Sequence, residues 1–138
     1  MVVKLNTIDF NAIGEAAAFS VSDFEAFDVI QFSDDLQAEP VVLRILNAGA
    51  LDLSDELGTR AAQIEASLIG NTIITGAGSD TLLGGGGDDV LYGGAGNDSF
   101  TSYGDEDGLA SSDRFFGGAG DDLFNLNHAT FGAVTLAQ

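Results

Sequence analysis

Aspartate recurs at a fixed interval in the second half of the chain, and it is the residue type there with the clearest chemistry. Asp80, Asp89 and Asp98 are nine residues apart, and Asp113 and Asp122 repeat that interval further on. Most of them close a glycine-rich segment, and glycine permits tight turns whose carbonyl oxygens point to one side. Carboxylate and carbonyl oxygens are the ligands of Ca²⁺, which takes about six to eight of them. The spacing therefore predicts a series of calcium sites.

The aspartates belong to a nine-residue repeat, G-G-x-G-x-D-x-U-x, in which U is a large apolar residue. Residues 75–83, 84–92, 93–101 and 117–125 follow it closely, 108–116 keeps the aspartate and the apolar residue, and 66–74 is degenerate. Six residues, Ser102 to Asp107, interrupt the series. Each unit is expected to form a six-residue turn and a three-residue strand. The apolar residues expected to point inward are Leu82, Leu91, Phe100, Phe115 and Phe124.

This pattern resembles the repeats-in-toxin (RTX, hemolysin-type) family of secreted bacterial toxins, proteases, lipases and mannuronan epimerases. The resemblance covers residues 75–125 well and 66–74 loosely. It implies an all-β fold, a right-handed parallel β-roll or β-helix solenoid, in which two repeats make one coil. Calcium ions would lie between turns that are two repeats apart. One edge would then pair Asp80 with Asp98 and Asp98 with Asp122, and the other would pair Asp89 with Asp113.

The resemblance also implies which residues hold the metal. The candidate calcium ligands are Thr75, Ala77, Gly78, Asp80, Gly84, Gly86, Gly87, Asp89, Gly93, Ala95, Gly96, Asp98, Asp113, Gly117, Ala119, Gly120 and Asp122. Asp88 and Asp121 are expected to point to solvent. The acidic segment 105–108 lacks the spacing of an EF-hand loop and is either a solvated bulge or an accessory calcium site. His128, the only histidine, is expected at the surface.

Energetics predict that the repeats depend on the metal. One buried large side chain in each repeat contributes about 1.5–3 kcal/mol. Ordering nine residues costs roughly 9–18 kcal/mol in backbone entropy, and strand hydrogen bonds offset only part of that cost. Without a cation the stacked carboxylates also repel one another. We therefore expect the repeats to be unfolded without calcium and folded with it.

The N-terminal half lacks the repeat and contains short apolar runs. Strands are expected around 19–21, 29–32 and 41–46, with turns at 33–35 and 47–49, and the apolar theme continues at Leu51, Leu53 and Leu68–Ile69. Helices are an alternative at 11–19 and at 55–66, the latter with Ser54 as N-cap. Because a terminal repeat cannot bury its own face, residues 1–65 are expected to be a metal-free capping region. Residues 66–125 would then form the calcium-binding roll and 126–138 a tail or truncated cap.

Composition limits the remaining functions. The 138 residues carry 22 acidic and 4 basic side chains, a formal charge of −18, which disfavours nucleic acid and anionic membrane as partners. Without cysteine the chain has no disulfide, thiolate zinc site or cysteine nucleophile. No apolar stretch is long enough for membrane insertion. The N-terminus lacks a signal-peptide core, so the protein stays inside, leaves without such a signal, or is a fragment.

The resemblance implies a non-catalytic, calcium-binding structural module of a secreted bacterial protein, exported unfolded by a type I system and located outside the cell or on its surface. The alternative is an accessory roll of a larger secreted enzyme or adhesion protein. An enzyme would need carboxylates or basic residues in a groove, whereas here calcium occupies the aspartates and basic residues number 4. Catalysis would therefore belong to further domains of a parent protein.

Overall fold

A computed structural model of the chain describes residues 7–10, 17–22, 29–32, 40–103, 112–126 and 135–137. Strands in these ranges are β1 (Thr7–Phe10), β2 (Ala17–Phe19), β3 (Val29–Phe32), β4 (Val41–Ile45), β5 (Gly49–Asp52), β6 (Ala62–Glu65), β7 (Asn71–Ile74), β8 (Thr81–Leu83), β9 (Val90–Ala95), β10 (Ser99–Ser102), β11 (Arg114–Ala119), β12 (Leu123–Leu126) and β13 (Thr135–Ala137). A single helical turn, α1, spans Ser54–Leu57 and lies next to β3.

The strands wind into a β-solenoid of about four turns. The even-numbered strands form a six-stranded sheet in the order β12-β10-β8-β6-β4-β2. The odd-numbered strands from β5 onward form a five-stranded sheet in the order β13-β11-β9-β7-β5. Strands β1 and β3 form a separate pair. Every pairing among the described strands is parallel. The all-β, parallel-solenoid prediction is therefore confirmed, and the sheets continue without a break across residue 66.

The length of each coil follows from the strand register. Ile64 aligns with Leu82 and Leu82 with Phe100, an advance of two nine-residue repeats each time. Phe100 then aligns with Phe124, and Leu91 aligns with Phe115 in the other sheet. Both sheets thus accommodate the six additional residues in a single coil, and the register is the same before and after them.

The core is a column of side chains between the two sheets. Strand residues alternate between core and outside, as in β6, where Ile64 is buried and Gln63 is exposed. Leu82, Leu91, Phe100 and Phe115 are fully buried, as the repeat predicts. Phe124 is partly buried and stacks on Phe100 with ring centroids 5.1 Å apart.

Two expectations for the first half prove wrong. Instead of a helix at 55–66, α1 ends at Leu57, with Gly58 at a φ of 55°, and β6 follows. Ser54 is the first helical residue rather than the N-cap, because Leu53 occupies that position. The alternation of Ala62, Ile64 and Ala66 into the core outweighs helical propensity. Leu68 and Ile69 are 80% and 66% exposed in a turn, not part of a strand.

Of the remaining predictions, several strands are confirmed and others fall outside the described residues. Strands are confirmed at Val29–Phe32 and Val41–Ile45. Residues 17–19 form a strand rather than the end of a helix, and the strand expected around 19–21 ends at Phe19, because Val21 and Ser22 are helical. The rest of that candidate helix, the turn at 33–35, the acidic segment 105–108 and His128 lie outside the described residues. No helix within the described ranges is long and apolar enough to cross a membrane.

Candidate metal centre

The first site feature is a ladder of aspartates along one edge of the solenoid, here called the Asp98 edge and defined by Asp80, Asp98 and Asp122. The Asp80 N–H donates to Asp98 Oδ1 at 2.8 Å, and the Asp98 N–H donates to Asp122 Oδ1 at 3.0 Å. At the N-terminal end of the ladder, the Ala62 N–H donates to Asp80 Oδ1 at 2.7 Å. Each aspartate thus reaches back to the coil before it, in the predicted stacking order.

A second ladder follows the opposite edge, here called the Asp89 edge and defined by Asn71, Asp89 and Asp113. The Asn71 N–H donates to Asp89 Oδ1 at 2.6 Å, and the Asp89 N–H donates to Asp113 Oδ1 at 3.1 Å. Asp113 therefore stacks on Asp89 as predicted, although its turn has lost most of the glycines. Asn71, Asp89 and Asp113 are all buried.

Close contact between coils explains the glycines. Gly94 and Gly118 both have a φ of 93°, in the left-handed region that side chains disfavour. A Cβ at Gly118 would overlap the carbonyl oxygen of Gly94, and one at Gly94 would overlap that of Gly76. At the first position of the repeat, a Cβ on Gly93 would overlap the Asp98 carboxylate, and one on Gly117 would overlap Asp122. Glycine therefore leaves the space into which the carboxylate of the same turn bends.

The second carboxylate oxygens on the Asp98 edge are buried without a hydrogen bond. Oδ2 of Asp80, Asp98 and Asp122 has no hydrogen-bond partner within the described part of the chain. Asp80 and Asp98 are each 1% exposed. Burying a carboxylate oxygen without compensation is costly, so native structures satisfy such atoms with a donor or a cation. Orphaned oxygens in a glycine-lined space fit a hard, oxygen-seeking cation.

Burial also changes the acidity of this ladder. It raises the pKa of Asp98 to about 6; the Asp80 N–H opposes that shift, and the charges of Asp80 and Asp122 add to it. Burial likewise raises the pKa of Asp80, against the opposing effects of the Thr75 hydroxyl and the Ala62 N–H. A bound cation would favour the charged carboxylates and so reverse these shifts.

The remaining predicted ligands can offer main-chain carbonyls from the same turns. Thr75 to Gly78, Gly93 to Gly96 and Gly117 to Gly120 precede the aspartates of the Asp98 edge, and Gly84 to Gly87 precede Asp89. Several of these carbonyls already bond the neighbouring coil: Ala119 O accepts from the Gly96 N–H and Gly86 O from the Gly70 N–H. Within the described residues no three acidic or histidine side chains converge, so a cation here would draw on carbonyls as well as carboxylates.

An outer ladder beside the aspartates was not predicted. The Asn97 N–H donates to Ser79 Oγ at 3.1 Å, and the Asp121 N–H donates to Asn97 Oδ1 at 3.0 Å. On the other edge the Ser112 N–H donates to Asp88 Oδ1 at 2.7 Å. Asp88 and Asp121 are exposed as expected, but Asp88 also bonds the next coil. Polar side chains at the fifth position of five repeats were the available sequence signal.

Sequence reasoning also misplaced Ser102. The structure makes it the last residue of β10, directly after Thr101, which pairs with Leu83; it is buried, and its hydroxyl donates to Asp113 Oδ2. It therefore occupies the first position of the turn that Asp113 closes, rather than belonging to an inserted surface segment. The available sequence signal was its position directly after the complete repeat 93–101, where the next turn begins.

Stacked glycine–aspartate turns between short parallel strands define a β-solenoid of the metal-binding type. Residues 69–100 and 107–127 match the family model of the RTX calcium-binding nonapeptide repeat, in four copies. The chain therefore carries RTX repeats, and such repeats bind calcium. No curated protein and no solved structure matches the chain.

Proposed function

We propose that this chain is a non-catalytic, calcium-dependent structural module of a secreted protein, and that the repeats fold when calcium binds outside the cell. The observation that carries the proposal is the row of buried Oδ2 atoms on Asp80, Asp98 and Asp122, which have no hydrogen-bond donor among the described residues. RTX repeats are typical of secreted proteins. Extracellular calcium modules bind in the range of about 10⁻⁴–10⁻³ M, which suits folding after export.

In this proposal calcium is held by the aspartates of both ladders, together with the turn carbonyls predicted from the sequence. The ion supplies positive charge between carboxylates that otherwise repel one another. Residues 66–125 are the calcium-dependent roll, residues 1–65 cap it without metal, and 126–138 are a tail or truncated cap. Any catalysis resides in further domains of the parent protein.

The proposal is tested by a calcium titration followed by far-ultraviolet circular dichroism and calorimetry, with magnesium as the control ion. Calcium should induce β structure, whereas magnesium should not, because it demands tight octahedral geometry and keeps its waters. Full β structure in excess chelator, with no heat of calcium binding, would refute the proposal.

Asp98→Asn is the decisive variant because Asp98 bonds both Asp80 and Asp122. A site held at ten times its dissociation constant contributes about 1.4 kcal/mol, so losing two sites removes roughly 3 kcal/mol. The calcium midpoint should rise at least tenfold. Asp121→Asn is the matched control, since Asp121 is its exposed neighbour in the next coil, and its midpoint should not move.

A further inference from the structure

The aspartate ladder on the Asp89 edge is closed at both ends by groups that can replace a cation. At the N-terminal end the replacement is the amide of Asn71, which occupies the ladder position below Asp89. At the C-terminal end it is the hydroxyl of Ser102, beside Asp113. Neither residue belongs to the ligand set implied by the repeat.

Asn71 satisfies its surroundings through both amide atoms. Its Oδ1 accepts from the Ser67 N–H and the Ser67 hydroxyl, each at 2.8 Å. Its Nδ2 donates to the carbonyl oxygens of Asn47 at 2.9 Å and Gly49 at 3.3 Å in the preceding coil. An amide N–H₂ among carbonyls presents positive hydrogens where a cation would present charge. A carboxylate in this place would face those carbonyls with oxygen only.

Ser102 has the corresponding effect on Asp113. In the turns of Asp98 and Asp122 the first residue is Gly93 or Gly117, which can donate nothing to the carboxylate from a side chain. In the turn of Asp113 the first position holds Ser102, whose hydroxyl donates to Oδ2. With Oδ1 accepting from the Asp89 N–H, both oxygens of Asp113 are hydrogen-bonded.

From these contacts we infer that positions along the two ladders differ in their requirement for calcium. Asn71 and Ser102 act as built-in substitutes for the ion at the two ends of the Asp89 edge, and calcium binds more strongly around Asp98, whose Oδ2 has no hydrogen-bond donor among the described residues. This inference rests on the proposed function, because it assigns unequal affinities to sites which that proposal treats alike.

Calorimetric calcium titration of the full chain tests the inference with Ser102→Gly and Asn71→Asp. Ser102→Gly removes the donor to Asp113 and should add one calcium ion per chain or tighten the weakest class of sites at least tenfold. Ser99→Gly, the same exchange on the same strand, should leave binding unchanged. Asn71→Asp should raise the calcium concentration needed for folding at least threefold, whereas Asn97→Asp, which adds the same charge at an exposed ladder position, should not.

A further variant keeps the test decisive if Ser102→Gly does not fold. Asp113→Asn should change the calcium midpoint less than twofold, because the hydrogen bonds of Asp113 already replace the ion, while Asp98→Asn raises it at least tenfold. Equal effects of Asp113→Asn and Asp98→Asn, or no difference between Ser102→Gly and Ser99→Gly, would overturn the inference while calcium binding persists. A wild-type chain that binds no calcium would instead refute the proposed function.

Discussion

The coils before residue 66 and the coils after it use different means to hold the same architecture. In the first group, Leu51 aligns with Ile73 twenty-two residues later, and Leu43, Ile45, Leu53, Leu57 and Ile64 are among the side chains buried in the core. In the second, coils advance by eighteen residues, or by twenty-four where six residues are added; turns are rich in glycine, and each strand from β8 to β11 places one large apolar side chain in the core. The first group relies on apolar burial, whereas the glycine-rich coils leave a deficit for calcium to offset.

The polar side chains that link neighbouring coils also differ between the two regions. Up to and including the degenerate repeat 66–74 the side-chain groups are amides: Asn47 Oδ1 accepts from the Val21 N–H at 2.8 Å, and Asn71 bonds the coil before it. In the later coils they are carboxylates with buried second oxygens. The difference teaches that one hydrogen-bonding position can serve a metal-free or a metal-dependent coil, depending on whether it carries an amide or an acid.

Removing calcium should give the largest effect and separate the two regions. In excess chelator, hydrogen exchange followed by mass spectrometry should show at least hundredfold faster exchange at Leu82, Phe100 and Phe115. Amides of residues 41–53 should change less than threefold, because their coils bury enough apolar surface without metal. A uniform loss of protection along the chain would show that the two regions depend equally on calcium.

The next prediction concerns core truncations in the two regions. Phe100→Ala removes a fully buried ring that packs on Phe115 and Phe124, with centroids 5.6 and 5.1 Å away. It should cost about 3–5 kcal/mol with calcium and nothing in chelator, where that coil is unfolded. Ile64→Ala should cost about 2–5 kcal/mol in both conditions. Urea denaturation with and without calcium measures both variants, and a Phe100→Ala cost in chelator would contradict the comparison.

A smaller effect is expected from pH. The pKa of Asp98 is raised to about 6 in the metal-free fold, so that fold binds a proton more readily than the unfolded chain. Acidification through pH 6 therefore stabilises the metal-free fold, and this stability is lost as pH rises through about 6. In excess chelator, far-ultraviolet circular dichroism should therefore show a larger β signal at pH 5 than at pH 7, because protonation of Asp98 favours the metal-free fold over the unfolded chain. Asp98→Asn should reduce the pH dependence of that signal, and an equal dependence in the variant would contradict this assignment.

The smallest prediction tests a surface contact in the early coils. Arg44 Nε and Nη2 donate to Glu65 Oε2 at 2.9 and 2.8 Å, with side chains 53% and 42% exposed. Exposed pairs contribute about 0.2–1 kcal/mol. A double-mutant cycle with Arg44→Gln and Glu65→Gln should give a coupling in that range, smaller at high salt and equal with and without calcium. A larger coupling in calcium alone would link this surface to the metal sites.

The sequence predicts those features of the molecule that follow directly from the nine-residue period. The inward positions of Leu82, Leu91, Phe100 and Phe115 follow from a period of nine, and so does the stacking of Asp98 between Asp80 and Asp122. The role of Ser102 was missed because the insertion was assigned to start directly after residue 101, which removed Ser102 from the first position of the next turn. In the sequence Asn71 stands where the repeat has aspartate and indicates only a degenerate unit; its donation from Nδ2 to the preceding coil is visible only in the structure.

The six additional residues between β10 and β11 have a consequence for the design of such repeats. Both sheets shift by the same number of residues at that coil, and β11 and β12 resume their places above β9 and β10. Parallel strands remain about 4.8 Å apart whatever the length of the chain that connects them. A change in the length of the connection after Ser102 should therefore leave the pitch of the solenoid unchanged, and so should a peptide grafted there.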